Sequence, residues 1–146
     1  MKTVCTNEPQ RLPVKPENII TMPLGLLGFE QIKKFVLLAQ PGEDPFLWLQ
    51  MLDNASQGFV VVSPGSALPD YSPDISAQDV EFLKLQNPDD AIVLNIVTVR
   101  PNGQSTVNLK GPIIINRHTL VAKQCIPNNV TGFSLQHSIQ SMMAAA

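Results

Sequence analysis

Short apolar runs alternate with turn-forming residues along most of the chain. The runs are rich in Val, Ile, Leu and Phe, which is typical of strands that pack on at least one face. Thirteen prolines and eight glycines punctuate the chain, and such frequent turn residues favour short strands over long helices. The pattern predicts seven or eight strands, drawn from residues 19–22, 33–40, 46–52, 59–63, 91–99, 105–110, 113–116 and 120–126.

Three parts of this pattern indicate the fold class. Residues 46–52 are apolar on both alternating faces, which predicts a strand covered on both sides, and residues 53–58 predict the turn after it. Residues 76–85 predict a helix that Ser76 can cap. Asn102-Gly103 joins two strand patterns and predicts a tight hairpin. Because hairpins dominate and one short helix cannot cover a parallel sheet, we predict an all-β fold: a small antiparallel β-barrel-like domain with one short helix.

The two ends of the chain differ from its middle. Residues 1–17 are polar and rich in proline, which predicts a loosely ordered leader. Residues 18–136 hold the strand pattern and predict one β domain, and a chain of 146 residues is long enough to bury a core. Residues 137–146 predict a C-terminal tail.

Polar groups interrupt two of the predicted strands. Asn108 falls within one, Asn116 ends the next, and Gly111-Pro112 separates them. Amides and a Gly-Pro pair are poor strand formers. We interpret Gly111-Pro112 as a bend, and the amides as groups that tie loose backbone N–H and C=O groups beside it. Direct contact of Asn108 or Asn116 with a partner is the alternative.

Charge and hydropathy argue against two classes of function. The net charge is −2 and no stripe of Lys and Arg is present, whereas a surface that binds nucleic-acid phosphates needs clustered cations. No apolar run approaches the ~20 residues that span a bilayer, so we predict no membrane association. Cys5 and Cys125 are interpreted as free thiols, which suits a soluble protein of the reducing cytoplasm.

The chain carries no recognisable catalytic or metal-binding motif. His118 and His137 are the only histidines, and neither lies at a ligand spacing from a cysteine or a carboxylate. Cys125 lies in an apolar run, where its thiol pKa should be raised and its reactivity low. We therefore predict no catalytic residue, no metal and no cofactor, and we interpret the protein as a binding protein rather than an enzyme.

Two loops present residues suited to contact with a partner. After the first predicted strand, two glycines make a turn-rich loop that exposes Phe29 and Glu30. A Pro-rich loop before the helix holds Asp70, Tyr71 and Asp74, including the only tyrosine. This second loop predicts either an exposed aromatic and acidic contact surface or a tyrosine ring packed over the start of the helix, and both alternatives remain open.

Several of these segments together resemble the FliW family of bacterial flagellar assembly factors. The resemblance covers about residues 19–126 and keeps the order and spacing of the family's motifs. Two positions depart from the usual family pattern: Leu27 stands in place of a proline, and Gly111 in place of an alanine. The matching segments are "GLLGFE" (25–30), "PFLWLQMLDNASQGFVVVSPG" (45–65), "PDYSPDI" (69–75), "DAIVLNIVTV" (90–99), and "STVNLKGPIIIN" with "AKQCI" (105–126).

The resemblance implies a function without catalysis. Proteins of this family bind flagellin in the cytoplasm, and they bind and antagonise the translational repressor CsrA, so that flagellin export frees the factor to sequester CsrA. Any link to RNA would then be indirect. Acidic side chains could meet the basic surface with which CsrA holds RNA, or could simply be solvated; the candidates are Glu30, Asp70, Asp74, Asp89 and Asp90. The residues expected to contact a partner are Phe29, Glu30, Asp70, Tyr71, Asp74, Asn108 and Asn116.

A small-molecule-binding or enzymatic β-barrel is the alternative reading of the same pattern. Such a barrel would hold its ligand in the barrel mouth and would need polar groups that converge on its interior. The largely apolar faces of the predicted strands indicate a filled core instead.

Overall fold

The computed structural model describes residues 1–3, 12–39, 42–43, 45–65, 68 and 70–138. In this part of the chain, nine strands form a mostly antiparallel sheet that curls into a half-barrel, and one α-helix packs on it. This confirms the predicted fold class. The elements are β1 (Ile19–Thr21), β2 (Lys34–Ala39), β3 (Phe46–Met51), β4 (Asn54–Val62), α1 (Ala77–Leu83), β5 (Ala91–Val99), β6 (Ser105–Val107), β7 (Ile113–Asn116), β8 (Ala122–Gln124) and β9 (His137–Ser138).

Strand β5 organises the sheet. The strand order is β1-β2-β3-β4-β5-β6-β9, and β5 also pairs with β7, which in turn pairs with β8. The first half of β5 lies against β7 and its second half against β6, so the chain branches into two antiparallel arms at this strand. The sheet curls back on itself where the Thr21 amide at the end of β1 donates a hydrogen bond to the Leu120 carbonyl at 2.9 Å.

The core consists of two apolar clusters on opposite faces of β5. Ala91 and Val93 belong to the cluster that includes Leu83 of α1. Ile92 and Leu94 belong to the cluster that contains the buried side chains of β1, β2 and β3. Alternate side chains of a strand point to opposite faces, so β5 is covered on both sides. This is why its sequence is a nearly continuous apolar run.

Helix α1 begins and ends where side chains satisfy its free backbone groups. Ser76 Oγ accepts a hydrogen bond from the Asp79 amide at 3.2 Å, as the sequence predicts. At the other end, Lys84 takes the left-handed conformation with φ of 56°. Asn116 Nδ2, from the end of β7, donates to the Leu83 carbonyl at 2.8 Å and so ties the helix to the sheet.

The structure corrects three details of the predicted strands. Phe46, Trp48 and Gln50 on the outward face of β3 are half-buried rather than covered. Residues 54–58 belong to β4 instead of a turn, and an irregularity in register between Gln50 and Met51 accommodates the tighter reversal. The predicted strand 105–110 ends at Val107, after which the chain leaves the sheet.

The described parts of the predicted leader and tail contact the β domain. The amide of Thr3 donates to the Pro73 carbonyl at 3.1 Å, and β9 pairs with β6. Residues 4–11, which include Cys5, and residues 139–146 lie outside the described residues. Within the described ranges, no helix is long and apolar enough to cross a membrane.

Candidate functional site

A groove of about 450 Å³ opens where three segments of the chain meet. One is the first loop, residues 24–30 between β1 and β2, and another is the second loop, residues 108–111 between β6 and β7. The third is the C-terminal segment, residues 126–135, which follows β8. Strand β8 and Cys125 after it complete the groove, whose lining side chains are Leu24, Leu27, Glu30, Asn108, Lys110, Lys123, Gln124, Cys125, Ile126, Val130 and Leu135.

Large apolar side chains border this groove in contact with solvent. Leu27 is 85% exposed, Ile126 73%, Leu135 56% and Leu24 53%. Single exposed leucines are common on soluble proteins, but four large apolar residues around one concave surface are typical of an interaction site. The groove is therefore the strongest candidate for a docking site in the described part of the chain.

Glycines shape the first loop. Gly25 and Gly28 have φ of +67° and +87°, a conformation that other residues rarely adopt. The turns that result bury Leu26 in the core and direct Leu27 outward. The loop thus uses one leucine as its anchor and presents the next to solvent.

A side-chain amide shapes the second loop. Asn108 Oδ1 accepts hydrogen bonds from the amides of Lys110 at 2.9 Å and Gly111 at 3.1 Å. This closes a local turn and satisfies backbone groups that have left the sheet. The predicted structural role of Asn108, which ties backbone groups beside the Gly-Pro pair, is what the hydrogen bonds show.

Gln124 of β8 connects the two loops. Its Oε1 accepts a hydrogen bond from the Leu27 amide at 3.0 Å, and its Nε2 donates to the Gly111 carbonyl at 3.2 Å. A Cβ atom on Gly111 would approach Gln124 Nε2 at 3.0 Å, so a small residue allows this close contact. One side chain therefore fixes the positions of the two loops relative to each other.

Three charged side chains line the groove, and two of them have partners within the protein. The Lys123 ammonium is ion-paired with the buried carboxylate of Asp79. Glu30 accepts a hydrogen bond from the Gly28 amide at 3.1 Å, and this bond holds the pKa of the carboxyl below its ordinary value. Lys110 differs from both, because no carboxylate of the described residues lies within ion-pair distance of its ammonium.

A thiol at the groove is held in its protonated form. Cys125 is buried, and this burial, together with the nearby Asp79 carboxylate, raises the pKa of the thiol to about 12. This agrees with the predicted inert cysteine, since only the thiolate is a good nucleophile.

Alkylation kinetics will test the state of this thiol. In a Cys5→Ser variant at pH 8, we expect iodoacetamide to modify native Cys125 on the order of 10³-fold more slowly than in urea, because the native thiolate fraction is that much smaller. Mass spectrometry reads the rate, and the Cys5→Ser/Cys125→Ser double variant provides the blank. Equal rates in the native and unfolded protein would contradict a thiol held in the interior.

The structure brings two of the predicted contact residues into the groove and a third beside it. Glu30 and Asn108 line the groove itself. Phe29 is 46% exposed and packs edge-on against Phe59 of β4, with ring centroids 5.1 Å apart. Contact of these three residues with a partner stays a prediction.

Tyr71 and Asn116 are interior residues, so of the two alternatives for the tyrosine the structure shows a packed ring and not an exposed one. Tyr71 is 6% exposed; its hydroxyl donates to the Leu109 carbonyl at 2.8 Å and accepts from Asn95 Nδ2 at 3.0 Å. These hydrogen bonds tie the second loop to the core. Asn116 is 3% exposed because it caps α1 and the turn after β7, where His118 N donates to its Oδ1 at 2.9 Å.

The predicted aspartates lie outside the groove and differ in their surroundings. Asp74 accepts a hydrogen bond from the N-terminal ammonium at 2.8 Å, which holds the pKa of its carboxyl below the ordinary value. Hydrogen bonds from the amides of Asn87 and the residue before it likewise lower the pKa of Asp90. Asp70 and Asp89 are exposed, and Asp89 lies 3.9 Å from an arginine guanidinium.

Sequence reasoning missed most of the apolar border of the groove. Leu24 and Leu27 lie beside turn glycines, and Ile126 precedes a proline. Large apolar residues next to turn-forming residues were therefore the one sequence pattern that could have indicated this border. Such residues point to solvent only when the fold leaves them uncovered. That outcome depends on contacts between segments far apart in the chain.

Comparison with known proteins identifies the family. Residues 3–139 match the family model described as FliW protein. The chain belongs to the FliW family. The flagellar assembly factor FliW of Syntrophus aciditrophicus (strain SB) is 41% identical over 106 residues, covering 72% of this chain and 67% of that protein. The FliW of Treponema denticola is 35% identical over 134 residues, covering 91% of this chain and 90% of the relative.

A solved structure agrees with this assignment. The fold is similar to a crystal structure of the flagellar assembly factor FliW, with a TM-score of 0.74 and 30% sequence identity. The alignment covers 95% of this chain and 96% of the chain in the crystal structure. The sequence-based resemblance to FliW is confirmed, and the protein is a flagellar assembly factor. These FliW relatives are named as assembly factors and not as enzymes.

Proposed function

We propose that this FliW protein binds flagellin in the cytoplasm and antagonises the translational repressor CsrA. Free flagellin would occupy the protein until export removes it, and the freed protein would then sequester CsrA. Flagellin synthesis would in this way follow flagellin export. The protein would act by binding alone, without a catalytic step or direct contact with nucleic acid.

The exposed apolar groove is the observation that carries the proposal. Flagellin has terminal helices that assemble through apolar faces, and an apolar helical face fits into a groove bordered by exposed leucine and isoleucine side chains. Covering such a surface stabilises the complex, because each large apolar side chain removed from water contributes about 1.5–3 kcal/mol. The groove is therefore the surface that we assign to flagellin.

Surface charge supports the proposed contact with CsrA. A protein that holds RNA has a basic surface, and complementary carboxylates favour selectivity and fast association. Glu30 and Asp70 are exposed and suit this role. Asp74 and Asp90 suit it less, because backbone and ammonium groups of the protein already bind their carboxylates.

Substitution of the most exposed groove residue tests the proposal. We expect Leu27→Asp to weaken flagellin binding at least tenfold, or about 1.4 kcal/mol, because the apolar contact of the leucine is lost and a carboxylate would have to leave water when the complex forms. Folding should be preserved, since the Leu27 side chain is 85% exposed. Isothermal titration of purified flagellin and CsrA against the wild type and the variant measures both affinities.

Val99→Asp is the matched control. Val99 is 64% exposed at the end of β5 and does not line the groove, so this variant should bind flagellin like the wild type. If the wild type binds neither flagellin nor CsrA in the micromolar range, the proposal is wrong. Equal losses in both variants would assign the effect to added charge and not to the groove.

A further inference from the structure

Among the described residues, one ammonium group of the groove has no carboxylate within ion-pair distance. Lys110, in the second loop, is half-buried and lines the groove, yet the described residues offer it no carboxylate partner. Its neighbour Lys123 is fully engaged with Asp79 and also lies 5.7 Å from the centre of the Phe82 ring. The groove is thus apolar at its border and contains, at Lys110, an ammonium group that no carboxylate of the described residues pairs with.

A partner that covers the groove must deal with this charge. An ammonium group moved from water into an apolar contact is costly unless a carboxylate pairs with it. Glu30 lines the same groove, but its carboxylate lies beyond ion-pair distance of Lys110 and accepts a hydrogen bond from the Gly28 amide instead. A partner with only apolar side chains at this position would therefore bind poorly, whereas one that brings its own carboxylate would gain a charge-assisted hydrogen bond.

Hydrogen bonds fix the backbone that carries Lys110. Asn108 Oδ1 holds the amides of Lys110 and Gly111, and Gln124 holds the Gly111 carbonyl. The buried Tyr71 hydroxyl donates a hydrogen bond to the Leu109 carbonyl in the same loop. The loop thus fixes the Lys110 Cα, and the flexible side chain keeps the ammonium within one side-chain length of it at the groove.

We propose that Lys110 selects the partner segment: the groove takes a flagellin segment in which an Asp or Glu side chain adjoins large apolar side chains, and that carboxylate pairs with Lys110. The inference rests on the proposed function, because flagellin is taken as the partner. It adds the chemistry that decides which part of flagellin enters the groove. Apolar contacts with Leu27 and Ile126 supply affinity, and Lys110 supplies selectivity.

Charge reversal at this residue is the first part of the test. Titration of purified flagellin should give at least tenfold weaker binding for Lys110→Glu and a smaller loss for Lys110→Met. Lys15→Glu, at an exposed lysine outside the groove, changes the net charge equally and should bind like the wild type. Circular dichroism and thermal unfolding of each variant establish that the fold is retained.

Charge exchange with the partner is the second part. Overlapping flagellin peptides, blocked as C-terminal amides so that only side-chain carboxylates are present, identify the segment that binds the wild type. Replacing its critical Asp or Glu by Lys should abolish binding to the wild type and restore binding to Lys110→Glu.

The outcomes separate this inference from the proposed function. If Leu27→Asp loses flagellin binding while both Lys110 variants bind within twofold of the wild type, the role of Lys110 is wrong and the proposed function stands. Failure of the exchanged peptide to restore binding to Lys110→Glu also overturns the pairing. If the wild type binds no flagellin, the proposed function fails, and the inference fails with it.

Discussion

Gly25→Ala is expected to destabilise the protein by about 3 kcal/mol and to disrupt the groove. Gly25 has φ of +67°, and a Cβ atom there would lie 2.6 Å from the Glu30 Cα and 2.7 Å from its carbonyl carbon and oxygen. The added methyl group meets backbone that cannot rotate away, so overpacking adds to the cost of the left-handed conformation. Urea unfolding measures the loss of stability, and titration of flagellin measures the loss of binding.

Gly28→Ala is the matched control within the same loop. Gly28 also has a positive φ, +87°, but no heavy atom lies within 4 Å of its Cβ position. Only the conformational cost remains, about 1 kcal/mol, and flagellin affinity should change little. Equal effects of the two substitutions would contradict the steric account and leave only backbone strain as the cause.

Asn116→Ala is expected to cost about 2–3 kcal/mol of folding stability. The Asn116 side chain joins α1 to the turn after β7, since its Nδ2 donates to the Leu83 carbonyl while its Oδ1 accepts from the His118 amide. Alanine leaves the buried Leu83 carbonyl and the partly buried His118 amide without this partner, which costs more than the hydrogen bonds themselves contribute. Urea unfolding followed by circular dichroism measures the change.

An exposed asparagine with a similar local hydrogen bond provides the comparison. Asn102 Oδ1 accepts from the Gln104 amide at 3.0 Å in the β5–β6 hairpin, where water can replace it. We expect Asn102→Ala to cost less than about 1 kcal/mol. A cost for Asn116→Ala as small as this would mean that the link between helix and sheet contributes little.

Local signals in the sequence predicted the elements whose cause is local. Strand β5 occupies the predicted residues 91–99, because a long β-branched run leaves little ambiguity. Ser76 caps α1 as predicted, and Gly103 in the predicted hairpin has a φ of +83°. The turn predicted after β3 was placed at the wrong residues. The position of this turn depends on an irregularity in strand pairing and not on turn residues alone.

The groove could be predicted only in part, because its residues come from separate regions of the chain. Glu30 and Asn108 are predicted from the sequence as contact residues, and both line the groove. It could not indicate that Ile126 and Leu135 would remain uncovered beside them, since exposure is set by the packing of the whole fold. Tyr71 was ambiguous for the same reason: its burial depends on hydrogen-bond partners in β5 and the second loop.

The hydrogen bond between the Leu27 amide and Gln124 has a consequence for the order of events during folding. It joins residues 97 positions apart, so the two loops meet only after most of the domain has formed. Contacts between such distant positions form slowly, because closing a long loop costs conformational entropy before any contact compensates for it. We therefore expect the binding surface to be among the last parts of the protein to mature, so that a chain still emerging from the ribosome cannot yet capture its partner.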